Sequence, residues 1–176
     1  GAKTELGDKA GAMADFNQAI QINPQHAEAY SNRGNAKSAL GDKAGAMADL
    51  NQAIQINPQY ADAYVNRGIA KSDMGDKAGA IADYSSAIQI DPQNAKAYYN
   101  RGNAKSALGD KAGAIADYSS AIQINPQDAK AYYNRGLTRL ALGDVAGARQ
   151  DYSSVVAIAP KLVQDNPALG DGLAAR

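Results

Sequence analysis

A period of 34 residues constrains this chain more than any other feature of its sequence. Ala-Tyr recurs at Ala29-Tyr30, Ala63-Tyr64, Ala97-Tyr98 and Ala131-Tyr132, and the Asn of an Asn-Arg-Gly triplet recurs at Asn32, Asn66, Asn100 and Asn134. Gly-Asp returns at Gly7, Gly41, Gly75, Gly109 and Gly143, and proline at Pro24, Pro58, Pro92, Pro126 and Pro160. Segments 27–60 and 95–128 differ at only seven of 34 positions, which points to recent duplication or deliberate idealisation. Such a chain folds as an array of one supersecondary unit, because a single copy cannot bury its own apolar face and neighbours must share a core.

Each period reads as helix, turn, helix. Ala27, Tyr30, Gly34 and Leu40 keep helical spacing, Gly41 suits the left-handed conformation that closes a helix, and Asp42 can cap the next one. Residues 43–56 then set Ala46, Met47, Leu50, Ala53, Ile54 and Ile56 largely on one face, and Pro58 ends the unit. Gly45, repeated at Gly11, Gly79, Gly113 and Gly147, falls one turn inside the second helix, where glycine costs up to about 1 kcal/mol. Close backbone contact would account for it.

Composition narrows the function. Eighteen Lys plus Arg balance eighteen Asp plus Glu, and a neutral chain lacks the cation excess of a general nucleic-acid or anionic-membrane binder. No run approaches the roughly 18 apolar residues of a membrane span, and no signal peptide is recognisable. By default such a chain is soluble and cytoplasmic; its opening at Gly1 fits processing or a fragment. Absence of Cys rules out disulfides, thiolate nucleophiles and Cys-ligated metals, and a single His rules out a histidine cluster, so neither metal nor cofactor is expected. His26 follows Pro24 in a turn and reads as a surface residue. Ser85-Ser86, Ser119-Ser120 and Ser153-Ser154 have no base nearby, and the Gly-Asp-Lys turns follow no strand, so neither an enzyme nor a phosphate loop is indicated. Asp49, Asp83, Asp117 and Asp151 recur with Arg33, Arg67, Arg101 and Arg135, an ion-pair pattern worth little where exposed.

Tyr30, Gly34, Leu40-Gly41, Ala46, Leu50, Ala53 and Pro58, repeated at the same offsets, resemble the tetratricopeptide repeat signature over most of the chain. The resemblance implies an all-α, right-handed superhelical solenoid of antiparallel helical hairpins. Its expected units are a truncated first repeat at 1–26, full repeats at 27–60, 61–94, 95–128 and 129–162, and a C-terminal tail at 163–176. It also implies that first helices line a groove for an extended peptide or protein partner. Mapped onto that groove, the sixth residue of each unit gives Asn32, Asn66, Asn100 and Asn134, a column whose amides can pair with a peptide backbone, or else pair within the helix or merely hydrate the groove. The fifth and ninth residues vary: Ser31 and Asn35, Val65 and Ile69, Tyr99 and Asn103, Tyr133 and Leu137. The second residues run Glu28, Asp62, Lys96 and Lys130, with Asp73 adding an early acid, so either the lysines would meet acidic ligand groups and the acids basic ones, or Asp62 and Lys96, one repeat apart, would satisfy each other.

The chaperone-binding members of the family grip a carboxylate with Lys, Asn, Asn, Lys and Arg. The matching residues here are Ser31, Asn35, Asn66, Lys96 and Asn100, which lack the first Lys and the Arg and argue against a chaperone cofactor. Two rivals to peptide binding stand beside it. One is end-to-end self-association through uncovered repeat ends, with Ala12, Phe16 and Ile20 exposed on the truncated unit. The other is an idealised array without a natural ligand.

Overall fold

A computed structural model describes the backbone of residues 2–160 and the side chains of residues 11–160. The expected tail at 163–176 lies outside the described residues. Among the described residues there are nine helices and no strand: α1 (Ala2–Ile22), α2 (Ala27–Ala39), α3 (Lys43–Ile56), α4 (Ala61–Asp73), α5 (Lys77–Ile90), α6 (Ala95–Ala107), α7 (Lys111–Ile124), α8 (Ala129–Leu140) and α9 (Val145–Ile158). They fall into two compact units, Gly1–Pro92 and Gln93–Arg176. In the first, α2 packs on α3 and α4 on α5, while α1 meets α2 and α3 meets α4. The second repeats the scheme with α6 on α7, α8 on α9, and α7 against α8.

Turn chemistry builds each hairpin. Gly41 takes φ +88°, left-handed backbone that favours glycine, and Gly75, Gly109 and Gly143 do the same. The Asp42 carboxylate then accepts from Gly45 N at 2.8 Å and caps α3, a bond worth about 1 kcal/mol. This cap explains the glycine inside the second helix: a Cβ on Gly45 would run into the Asp42 carboxylate. At the starts of first helices, Asn94 and Asp128 cap α6 and α8 through Ala97 N and Ala131 N. His26 performs the same task for α2, its Nδ1 accepting from Ala29 N at 3.3 Å. It is a half-buried helix cap rather than the surface residue its turn position suggests.

Small residues set the approach of the helices. A Cβ on Gly68 would lie 2.5 Å from Tyr84 Cε1, and one on Gly102 would lie 2.7 Å from Tyr118 Cε1, so each aromatic ring occupies the space a side chain would need. Ala46, Leu50 and Ala53 are fully buried in the first unit, as are Ala114 and Ala121 in the second. Leu40, by contrast, is exposed at the hairpin turn although it belongs to the repeat signature.

The recurring ion pairs are not exposed ones. Arg33 donates from Nε and Nη2 to Asp49 at 2.8 and 2.7 Å, Lys37 Nζ joins at 2.8 Å, and the Asp49 side chain is only 7 % exposed. Arg67 and Lys71 hold Asp83 in the same way, Arg101 and Lys105 hold Asp117, and Arg135 and Arg139 hold Asp151. Burial pushes the Asp49 carboxyl up, but hydrogen bonds from Arg33 and Lys37 outweigh it and hold the group below the usual carboxylate range. The guanidinium groups of Arg33, Arg67, Arg101 and Arg135 also lie over tyrosines, Arg33 5.4 Å from the Tyr30 centroid. Arg67 Nη1 reaches back to Asn51 Oδ1 at 2.9 Å, so the cluster ties one hairpin to the next.

One turn fails to form. α1 runs unbroken through Gly7-Asp8, where the period predicts a hairpin turn. The same dipeptide closes a hairpin at Gly41-Asp42, where Gly41 takes left-handed backbone, and is carried inside a helix at Gly7-Asp8. Ala12, Phe16 and Ile20 are half-buried rather than uncovered.

Candidate functional site

The first helices α2, α4, α6 and α8 carry every sequence-predicted groove residue. In the first unit, Asn32 on α2 is half-buried and Asn35 is exposed, whereas Asn66 on α4 is buried and donates from Nδ2 to Ser31 Oγ at 3.1 Å. The Asn66 amide is thus partly committed to the neighbouring repeat. Ser31 is itself fully buried, and the Tyr60 hydroxyl beside it is pushed up by burial and by the Asp62 and Glu28 charges. A cleft of about 280 Å³ opens between α1 and α2, lined by Asp15, Phe16, Ala19, His26, Glu28, Ala29 and Asn32. Asn32 and Glu28 are predicted groove positions; Phe16 was expected only as uncovered repeat-end surface.

In the second unit, Asn134 Nδ2 donates to Tyr99 OH at 3.1 Å and to Asn103 Oδ1 at 2.9 Å. The Tyr118 hydroxyl also donates to Asn103 Oδ1, at 2.8 Å. Four side chains from α6, α7 and α8 therefore form one hydrogen-bonded cluster, with the Tyr99 and Tyr118 rings tilted at 6.1 Å between centroids. Burial, reinforced by Tyr99 and Asp117, pushes the Tyr118 hydroxyl well above its ordinary value, so it stays a neutral donor. Next to the cluster lies a cleft of about 310 Å³, lined by Asn103, Ser106, Ala107, Tyr118, Asn134, Leu137 and Thr138.

Asn100 is half-buried on α6, and the Tyr133 ring on α8 lies 6.1 Å from that of Tyr152, tilted by 43°. Lys96 and Lys130 stand exposed in the first turns of α6 and α8. Lys130 is seven positions before Leu137, about 10 Å along the helix axis. Asn103 and Asn134 thus come together in one cleft with Tyr99 bonded beside it. Ser106, Tyr118 and Thr138 belong to that cleft and were not anticipated. The exchange of Leu50 for Tyr118 between copies was the available signal for Tyr118.

Among the described residues no group of His, Cys, Asp and Glu is placed to hold a metal ion, and no helix is long and apolar enough to cross a membrane.

Known structures share this architecture. The crystal structure of MamA superposes with a TM-score of 0.78 at 24 % identity, covering 93 % of this chain and 95 % of that one. YrrB, described as a TPR protein with an unusual peptide-binding site, gives 0.69 at 18 % identity over 90 % of this chain and 81 % of its own. A thermophilic TPR protein of Thermus thermophilus gives 0.75 at 20 % identity over 98 % and 94 %. No curated protein matches in sequence. The TPR repeat family model matches residues 2–41, 38–75, 72–109 and 102–143, and a second tetratricopeptide repeat model matches 129–162. With nearly its whole length matched and its helices paired in successive hairpins, the chain belongs to the tetratricopeptide repeat family of all-α solenoid proteins.

Proposed function

We propose that this chain is a non-catalytic interaction scaffold that holds extended peptide segments of a protein partner against its first helices. The observation that carries the reading is the position of the two clefts. Both are lined by groove residues, Asn32 in one and Asn103 with Asn134 in the other, on a framework whose second, fifth and ninth positions change chemistry from copy to copy. YrrB, with its described peptide-binding site, lends the fold a precedent. Asn32 and Asn100 keep half-exposed amides that can pair with a passing main chain. Charge divides the ligand's requirements: Asp15 and Glu28 in the first unit favour cationic side chains, and exposed Lys96 and Lys130 in the second favour acidic ones.

Peptides selected from a random library against the full chain test this. Asn32→Ala and Asn100→Ala each remove one backbone-pairing group and should weaken selected peptides by about twofold to tenfold, with the helical circular-dichroism signal intact. Unchanged affinity in both variants refutes the reading. Lys96→Glu with Lys130→Asp installs the residues found in the earlier copies and should reduce both affinity for acidic peptides and its salt dependence.

A second reading, self-association, draws on a different observation: Leu137, Leu140, Leu142, Val145 and Val156 are all exposed on the α8–α9 hairpin. A concentration-independent monomer in light scattering eliminates it.

A further inference from the structure

The cleft on the second unit differs from a charge-reading site in one respect: none of its seven lining residues is ionised at neutral pH. Asn103, Ser106, Tyr118, Asn134 and Thr138 are neutral polar groups, and Ala107 and Leu137 are apolar. Its hydrogen-bonding pattern is also fixed from within. Asn103 Oδ1 is occupied by two donors, Tyr118 OH and Asn134 Nδ2, so what this amide offers a ligand is its Nδ2 donors. Both Asn134 Nδ2 hydrogens are used, on Tyr99 and on Asn103, so Asn134 offers its Oδ1 acceptor. The Thr138 hydroxyl is turned to Asn134 O at 2.7 Å, which leaves its methyl as a surface for the cleft. One donor and one acceptor side by side match the C=O and N–H that a single residue of an extended peptide turns to the same side, and the apolar wall beside them is largely Leu137, 42 % exposed where other copies place Asn35 or Asn103.

We propose that this cleft is a neutral subsite that reads one medium aliphatic side chain together with the backbone N–H and C=O of the residue that carries it. The proposal rests on the peptide-scaffold reading and specifies one position of the ligand. A carboxylate or ammonium entering the cleft would give up water without meeting an opposite charge, so both are rejected. The volume, about 310 Å³, is at the small end of ligand clefts and suits a single residue. Substituting Leu137 by Asn, as in two other copies, replaces the apolar wall with an amide and keeps a residue the framework already tolerates.

The test uses the full chain and fluorescein-labelled decapeptides that share one library-selected sequence and differ at a single position, set in turn to Ala, Val, Leu, Asp and Lys. A scan of that position along the peptide should find one site where Leu binds about tenfold better than Ala, with Asp and Lys weaker than Ala. In Leu137→Asn the ratio of Leu to Ala should fall to about one while the Ala peptide keeps its affinity. Replacing the amide N–H at that site by an ester oxygen should weaken binding to the parent chain severalfold, and weaken it less in Asn134→Ala. Peptides that remain sensitive to Asn32→Ala or Asn100→Ala but show no aliphatic preference, or a preference that survives Leu137→Asn, overturn the subsite and leave the scaffold reading intact. No binding by any peptide overturns both.

Discussion

Replacing glycine by alanine should have opposite signs at two helical positions in this chain. Gly11 lies inside α1, and among the described residues no atom lies within 4 Å of the place a Cβ would take, so Gly11→Ala should follow helix propensity and stabilise by about 1 kcal/mol. At Gly68 the same methyl would sit 2.5 Å from Tyr84 Cε1 and 2.8 Å from Cδ1. Tyr84 is 2 % exposed and cannot swing away, so the two helices must separate. Overpacking of this kind costs about 1–3 kcal/mol, and the propensity gain returns up to about 1. The net effect is a loss of up to about 2 kcal/mol, against a gain at Gly11. Thermal melts and urea titrations of the two variants beside the parent chain read the difference directly. A Gly68→Ala variant as stable as Gly11→Ala would show that contact with Tyr84 does not set the spacing of α4 and α5.

Acid should weaken the first unit through Asp49. Its carboxyl is held below the ordinary range, so the stability it contributes is complete above the unfolded value near 3.8 and is lost as pH falls through the lower folded value; urea midpoints should drop below about pH 4, and by less in Asp49→Asn. Local stability should be uneven because repeat arrays are sums of neighbouring units. Amides of α1, which among the described residues packs on α2 alone, should exchange faster than those of α4, which contacts α2, α3 and α5, whereas equal protection would contradict a modular array.

Much of the framework is legible in the sequence because its causes are local. Gly41 and Asp42 announce a left-handed closure and a cap within two residues, and proline marks where each unit ends. Gly45 is recognisable as an anomaly but not as a consequence, since its cause is the path of the Asp42 carboxylate over its Cα. The pairing of Arg33 with Asp49 follows from their recurrence, but the near-complete burial of the aspartate depends on packing that spacing does not encode. The site is less legible for the same reason. Asn66 and Ser31 are 35 residues apart, as are Asn134 and Tyr99, and only the folded stack shows that these amides bond to side chains of the preceding repeat. The continuous course of α1 through Gly7-Asp8 is hidden too, because the same dipeptide closes a hairpin at Gly41-Asp42.

The central claim is that ligands engage the first helices. Side-chain amide NMR signals of the full chain, followed while a library-selected peptide is added, test it most directly. The account predicts that the largest shifts belong to Asn32, Asn100, Asn103 and Asn134, with small changes at Gln52, Gln55, Gln89 and Gln123 on the second helices. Shifts concentrated on those glutamines, with the asparagine signals unmoved, would contradict it.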